Sequence, residues 1–274
     1  MASVSAPKMS LLSTIPAVMR ARGFYLYTQD GTRIVDLWQD GGQAILGHKP
    51  PHVLREMKSG VERALLAPFP HPAQRRFLKA LESLFPAKAF RLYQHKSVMF
   101  QALQKAGYPR EGGIVDPAFA SHAEASCALW RPFVEPSSAP VLLPVLPWSW
   151  APSVLVLDPQ LDFPAASDLL SPALLAGATR AVYDLIAAQK AGRTVSPLLQ
   201  KSIRNGLWEM RGIYVYAQSS QKHCALPEYE ALFRRFLAAG FLLPPDPSLP
   251  IIIPESLSGG EEAHLMQVFK KNSP

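Results

Sequence analysis

The chain has 274 residues, of which 48% are hydrophobic and 18% charged, so it has enough apolar material for a core and too little charge for a disordered chain. No apolar run approaches the roughly 18 residues of a membrane-spanning helix, and we expect no membrane partner. Two cysteines, Cys127 and Cys224, exclude a disulfide framework and a four-cysteine zinc site, and we predict no metal site.

The net charge of +7 favours acidic partners such as nucleic acid. The basic residues are scattered, however, and their densest pairs fall on or at the ends of predicted helices at 75–76, 234–235 and 270–271. We therefore interpret them as solvated surface and do not expect nucleic acid as the main partner. The unpaired cysteines and the lack of a clear signal-peptide pattern predict a cytoplasmic protein.

The first predicted unit is a β-hairpin with strands at 24–27 and 33–37. Apolar stretches flank Asp30 and Gly31, a dipeptide typical of hairpin turns because glycine adopts a positive φ at no steric cost. A bend rich in glycine and proline follows. Apolar spacing then predicts helices over 52–66, 73–85 and 96–106, with a short strand at 90–93 between the last two.

The middle of the chain, residues 107–152, shows no sustained period. Six prolines lie within 130–152, where they remove backbone donors, so we predict an ordered coil or a loop and not a strand–helix unit. The next segment, SVLVLD at 153–158, is continuously apolar and is closed by an aspartate. This pattern is typical of a strand in the middle of a parallel sheet.

The last third of the chain has a regular pattern. Ser171 and Pro172 have the residue types of an N-cap and first helical position, and they open a helix that extends to about 186. A strand at 212–217, a helix at 228–239 closed by Gly240, a strand at 251–253 and a helix at 260–270 follow. This order of strand, helix, strand and helix predicts an α+β arrangement for the C-terminal part of the chain.

The segment ARGFYLYTQDGTRIVDLWQDGGQAILGHKPPHV, residues 21–53, resembles the N-terminal region of class III pyridoxal-phosphate-dependent aminotransferases and is nearest to glutamate-1-semialdehyde aminomutase. Residues 169–186 and 229–245 resemble two later helical regions of the same family. The resemblance implies an α/β fold with an N-terminal arm and hairpin (1–50), a reduced aminotransferase-like central domain (51–190) and a smaller α+β C-terminal domain (191–274). It also implies that the protein is a homodimer. The matching N-terminal positions are Gly23, Tyr25, Leu26, Asp30, Gly31, Asp36, Leu46, Gly47, His48 and Pro51.

Family members are much longer than this chain, and the deficit falls where the cofactor chemistry lies. The family's Schiff-base lysine precedes the helix that Ser171 opens here, but residues 159–170 contain no lysine. The family's glycine-containing phosphate cradle at a helix N-terminus is replaced by residues 95–97, in which Lys96 and Ser97 are the candidate anion contacts. Asp158 matches the carboxylate that pairs with the pyridine nitrogen, although it is equally explained as an ordinary strand-end aspartate.

Two short motifs at 122–124 and 223–224, His-Ala-Glu and His-Cys, lack the partners that zinc or nucleophilic chemistry requires. Glu135 in FVEP resembles the family's Glu-Pro strand end in two residues only. We therefore predict a degenerate aminotransferase-like protein without catalytic residues or bound cofactor, which acts as a binding or structural protein. The alternatives are an active pyridoxal-phosphate-dependent aminotransferase or aminomutase, in which Asp158, Lys96 and Ser97 bind the cofactor, and a basic nucleic-acid-binding protein. The sequence does not identify a small-molecule ligand.

Overall fold

The computed structural model describes residues 11–109, 113–119, 125–204, 208–217 and 226–271. The chain divides into two compact units, one formed by residues 42–194 and the other by residues 1–41 together with 195–274. The motifs at 122–124 and 223–224 lie outside the described residues. Within the described ranges, no helix is long and apolar enough to cross a membrane.

The predicted N-terminal hairpin is present and has a third strand beside it. The strands are β1 (Val18–Arg22), β2 (Tyr25–Thr28) and β3 (Arg33–Asp36), and β2 pairs antiparallel with both β1 and β3. Gly31 lies in the hairpin turn with a φ of 82°, as the Asp-Gly signal predicts. The sequence did not reveal β1, because its residues are exposed or half-buried throughout and show no alternation between a buried and an exposed face.

The unit at 42–194 is a four-stranded sheet with helices on both faces. Its elements are α1 (Pro51–Glu62), α2 (Pro72–Leu84), β4 (Ala89–Tyr93), α3 (Lys96–Lys105), β5 (Cys127–Trp130), β6 (Val141–Pro144), β7 (Ser153–Leu157) and α4 (Pro172–Ala191). The strand order in the sheet is β4-β7-β6-β5. One core lies between the sheet and α1, α2 and α4, and a second core lies between the other face and α3.

The buried strand predicted at 153–158 is present as β7, but the predicted parallel pairing is wrong. β7 runs antiparallel to both of its neighbours, β4 and β6, whereas β5 and β6 are parallel to each other. Residues 154–157 are all buried, since helices cover both faces of the sheet. A continuous apolar run therefore reports burial on two faces and carries no information about strand direction.

The prediction of coil throughout 130–152 is wrong at 141–144, where β6 forms. The three residues before Pro144 are apolar and buried, and Pro144 is the last residue of the strand, where its missing N–H is tolerated. Pro140, which precedes the strand, still accepts a hydrogen bond from the Asp158 N–H through its carbonyl oxygen. Residues 131–140 and 145–152 are neither helix nor strand, as predicted.

One C-terminal strand joins the sheet of the N-terminal hairpin, whereas the other three C-terminal strands form a separate sheet. A two-residue strand in the C-terminal region pairs in parallel with β3, and residues 1–41 and 195–274 belong to one compact unit. Such a short, long-range pairing leaves no local pattern in the sequence. The elements are α5 (Pro197–Arg204), β8 (Trp208–Arg211), β9 (Tyr214–Ala217), α6 (Leu226–Ala238), β10 (Phe241–Leu242), β11 (Ile251–Ile252) and α7 (Gly259–Lys271).

Candidate functional site

The carboxyl ends of β4, β5 and β6 lie at one edge of the central sheet. β4 and β6 share a direction because both run antiparallel to β7, and β5 is parallel to β6. In open α/β sheets, ligands bind outside the carboxyl ends of such strands. The same edge receives the N-terminus of α3, which follows β4 after two residues. This carboxyl edge is therefore the place to look for a site.

Lys96 and Ser97 lie at the carboxyl edge, in the first turn of α3. Both side chains are exposed, and the Lys96 Nζ lies 5.4 Å from the centre of the Phe100 ring. His95 is the N-cap residue, with extended backbone angles and no side-chain capping hydrogen bond. The helix start thus has the position that the resemblance assigns to a phosphate cradle, but it is open to solvent.

Asp158 lies at the opposite edge of the sheet. The register pairs Tyr93 with Ser153 and Ala89 with Leu157, so the end of β7 lies beside the beginning of β4. The Asp158 carboxylate accepts from the Nζ of Lys88, the residue before β4. Four residue steps of strand, on the order of 14 Å, separate this ion pair from the carboxyl edge. The structure therefore does not bring Asp158 together with Lys96 and Ser97, and the three residues do not fit pyridoxal phosphate as one site.

None of the lysines that the structure describes is buried. Of the 12 lysines in the chain, Lys8 and Lys222 lie outside the described residues, which leaves ten. Nine of these are exposed, and Lys88 is half-buried in its ion pair with Asp158. A Schiff-base lysine requires a site that shields the imine and lowers the pKa of its amine. Within the described ranges no lysine has that environment.

A buried ion pair occupies the carboxyl end of β5. Arg131 follows the strand directly, and its side chain is almost completely buried. Its Nε and a terminal nitrogen donate to the two Asp116 carboxylate oxygens at 2.8 and 2.7 Å, which is a bidentate arrangement. Sequence reasoning missed this pair, because residues 107–152 show no period from which the burial of Arg131 could be inferred. The only signal was a single arginine within the apolar stretch CALWRPF.

Tryptophan fills the space beyond the end of β6. The Trp148 ring is buried against Gly177 of α4, where an added Cβ atom would lie only 2.7 Å from the ring. Trp150 is mostly exposed, and with Leu66, Gln94 and Ser171 it lines a cavity of about 120 Å³. Ligand pockets typically measure about 300–1,000 Å³. This cavity is therefore smaller than a usual cofactor site.

Two buried titratable groups face the α3 side of the sheet. Tyr93 ends β4, its hydroxyl has no hydrogen-bond partner among the described residues, and burial raises its pKa. Cys127 begins β5 as a free thiol, and burial raises its pKa to about 12. A thiol with so high a pKa is a poor nucleophile at neutral pH. Glu135 is exposed, and no cluster of three metal-binding side chains occurs among the described residues.

No protein-family model matches the chain. An uncharacterised protein of Treponema pallidum is 29% identical over 276 residues, covering 86% of this chain and 88% of that protein. Glutamate-1-semialdehyde 2,1-aminomutase of Aeropyrum pernix is 47% identical over 57 residues, which are 21% of this chain and 13% of the enzyme. Among solved structures, ornithine δ-aminotransferase of Plasmodium falciparum superposes with a TM-score of 0.67 at 12% identity, covering 99% of this chain and 94% of the other.

The superposition extends over almost the whole chain, whereas the sequence similarity to aminomutases covers about a fifth of it. The predicted α/β fold and the predicted resemblance are both confirmed. An identity of 12% supports the fold and carries no information about activity. The chain therefore has an aminotransferase-like fold, and about a fifth of its sequence is similar to glutamate-1-semialdehyde aminomutase.

Proposed function

We propose that the protein is a non-catalytic member of the aminotransferase fold that acts as a binding or structural protein. The absence of a buried lysine from the described residues is the observation that carries this proposal. The separation of Asp158 from Lys96 and Ser97 by the length of β7 supports it. Trp148 and the Arg131–Asp116 pair support it as well, because they occupy space at the edge where a cofactor would lie.

Residual contacts at the carboxyl edge are too weak to retain pyridoxal phosphate. Lys96 offers one exposed charge, and an exposed ion pair contributes only about 0–1 kcal/mol. The exposed helix start of α3 adds a favourable dipole of similar size, about 0.3–1 kcal/mol. A micromolar dissociation constant requires about 8 kcal/mol of binding free energy, which is far more than the sum of these contributions. We therefore expect a colourless purified protein.

Borohydride trapping tests the proposal directly. The protein is incubated with pyridoxal phosphate, its visible absorption is titrated, and the mixture is reduced and mapped by peptide mass spectrometry. We expect no saturable visible band and only scattered substoichiometric adducts on exposed lysines. A matched Lys96→Ala variant should behave like the parent protein. A stoichiometric adduct on a single lysine, lost when that lysine is replaced, would instead establish the active aminotransferase or aminomutase alternative.

We further propose that the protein is a homodimer. Leu54 and Val61, seven residues apart on one side of α1, are 38% and 42% exposed, and Leu66 is exposed just beyond the helix. The resemblance assigns the N-terminal arm and this helix to the subunit interface, and a second copy would cover these side chains. Light scattering at micromolar concentration should give twice the chain mass of 30.1 kDa. A clean 30.1 kDa species would contradict the proposal.

We also propose a cytoplasmic location, which the buried free thiol of Cys127 supports, since free cysteines are typical of reducing compartments. Fractionation of the source cells followed by immunodetection tests this location. We expect the protein in the cytoplasmic fraction, and its recovery outside that fraction would contradict the proposal.

A further inference from the structure

One face of the N-terminal hairpin carries three arginines interleaved with two tyrosines. The register places Arg20 opposite Tyr27, Arg22 opposite Tyr25, and Tyr27 opposite Arg33. Directly opposed residues of antiparallel strands project from the same face of a sheet, as do residues two apart on one strand. All five side chains therefore share one face. In the sequence these arginines are separated by up to 13 residues, and only the strand register brings them together.

The face is formed by stacked guanidinium and phenol groups. The Arg20 Cζ lies 4.3 Å from the centre of the Tyr27 ring, and the Arg33 Cζ lies 4.8 Å from the centre of the Tyr25 ring. These distances are within the roughly 6 Å range of cation–π contacts, in which the cation lies over the face of the ring. Both tyrosines are half-buried, and the residue between them, Leu26, is buried on the opposite face. The sheet thus presents flat π surfaces on one side and a core on the other.

The face carries a net positive charge. Arg33 forms an ion pair with Glu261 at 2.8 Å, and Glu261 also accepts from the Tyr25 hydroxyl at 3.1 Å. Arg20 and Arg22 are exposed, and neither has a carboxylate within salt-bridge distance in the part of the chain that the structure describes. They lie two residues apart on β1, about 6.8 Å along the strand. Two uncompensated guanidinium groups therefore line the outer strand of this sheet.

We propose that the Arg–Tyr face of β1–β3 binds single-stranded nucleic acid. Arg20 and Arg22 contact successive backbone phosphates, and bases stack on Tyr27 and on the guanidinium planes beside it. A single strand is required because only unstacked bases offer their flat faces to a protein surface. An acidic protein segment would satisfy the two charges but would leave the aromatic rings without a planar partner. The proposal goes beyond the proposed function, since the face lies on residues 18–33 and uses none of the residues at the carboxyl edge.

Fluorescence anisotropy with a labelled oligothymidine of about 20 nucleotides tests the proposal on the full chain. Titrations between about 50 and 200 mM salt give the salt dependence of the affinity. Two phosphate contacts predict a slope of log K against log salt of about −1.4, at about −0.7 for each contact on a single strand. Arg20→Gln together with Arg22→Gln should lower the affinity at low salt about tenfold or more and bring the slope close to zero.

Two further variants separate stacking from charge. Tyr27→Leu should lower the affinity about 5- to 160-fold at every salt concentration and leave the slope unchanged, whereas Tyr27→Phe should retain the parent affinity. Arg75→Gln together with Arg76→Gln, on exposed positions of α2, removes the same charge elsewhere and should have little effect. Circular dichroism of each variant confirms that the fold is retained.

Several outcomes would overturn the proposal. The first is the absence of binding at low salt. The second is an equal loss of affinity in the 20/22 and 75/76 variants, which would indicate attraction by net charge alone. The third is a Tyr27→Leu variant with parent affinity, which would show that bases do not stack on this ring. The fourth is a poly-glutamate competitor as effective as the oligonucleotide, which would indicate an acidic protein partner. None of these results bears on pyridoxal phosphate binding, so the two proposals fail independently.

Discussion

At the scale of single residues, the buried ion pair between Arg131 and Asp116 should contribute strongly to the stability of the central unit. Arg131 is buried and meets both carboxylate oxygens of Asp116. Arg131→Leu leaves a mostly buried carboxylate without its counter-ion, and removal of one partner of a buried pair costs about 3–5 kcal/mol. We expect the free energy of unfolding, measured by urea denaturation, to fall by this amount.

Two controls belong to this measurement. Arg234→Leu removes an exposed partner of Glu230 and should change stability by at most about 1 kcal/mol. Arg131→Leu combined with Asp116→Ala should be less destabilised than the single variant, because the orphaned charge is gone. Equal effects of Arg131→Leu and Arg234→Leu would show that the buried pair does not contribute as we infer.

The thiol of Cys127 should be unreactive in the folded protein. Burial raises its pKa to about 12, so at pH 8 almost none of it is thiolate, and the thiolate is the nucleophilic form. Since the folded pKa is raised, the thiol remains protonated until the pH approaches 12. We expect iodoacetamide at pH 8 to leave Cys127 unmodified in the native protein and to alkylate it in urea, as peptide mapping will show. Rapid native alkylation of Cys127 would contradict its burial.

At the scale of elements, the crossing of α1 and α4 depends on a small residue. A Cβ atom at Gly60 would lie 2.7 Å from the Cα and Cβ atoms of Ala173, so the two helix backbones are in direct contact. Gly60→Ala should lower the free energy of unfolding by about 1–3 kcal/mol, since overpacking outweighs the gain in helix propensity. Gly260→Ala, in the first turn of α7, is the matched control. An added Cβ atom there would contact no other part of the protein within 4 Å, so the substitution should be neutral or stabilising. A stabilised Gly60→Ala variant would contradict this crossing.

The helices that the sequence predicted correctly have ten or more residues in a periodic pattern. The helices α1, α2, α3, α4, α6 and α7 all begin within a few residues of their predicted starts, because their apolar faces repeat over that length. The elements that were not predicted are the strands β1, β5, β6, β8 and β10 and the eight-residue helix α5. Strands of the same length were recognised only where a turn signal or a run of β-branched and aromatic residues marked them, as in β2, β3, β9 and β11.

The candidate site was predictable only in part, because the distances between its residues depend on the direction of the strands in the sheet. The positions of Lys96, Ser97 and Asp158 at element ends were predicted correctly from local sequence. Their separation depends on the direction of β7, which is set by pairing with strands more than ten residues away in the chain. The absence of a lysine from residues 159–170 could be stated from the sequence, whereas the exposure of the other described lysines required the structure.

At the scale of the whole molecule, the proposed dimer makes α1 an interface helix. Leu54 and Val61 project from one side of it, and their exposure in a single chain would be relieved by a second copy. Leu54→Gln together with Val61→Gln removes apolar area from both positions, and two positions repeated in both subunits make the effect large. We expect the dissociation constant of the dimer to rise about tenfold or more, which corresponds to about 1.4 kcal/mol.

Sedimentation velocity over a range of concentrations measures that shift directly. Val98→Gln together with Leu198→Gln is the matched control, since these side chains are 37% and 69% exposed and lie on α3 and α5, outside the arm and α1. The control should dissociate with the same constant as the parent protein, because the second copy does not cover these two positions. If both pairs of substitutions weaken association equally, the contact is general hydrophobic attraction. If neither does, a dimer must form through another surface and α1 is solvent-facing.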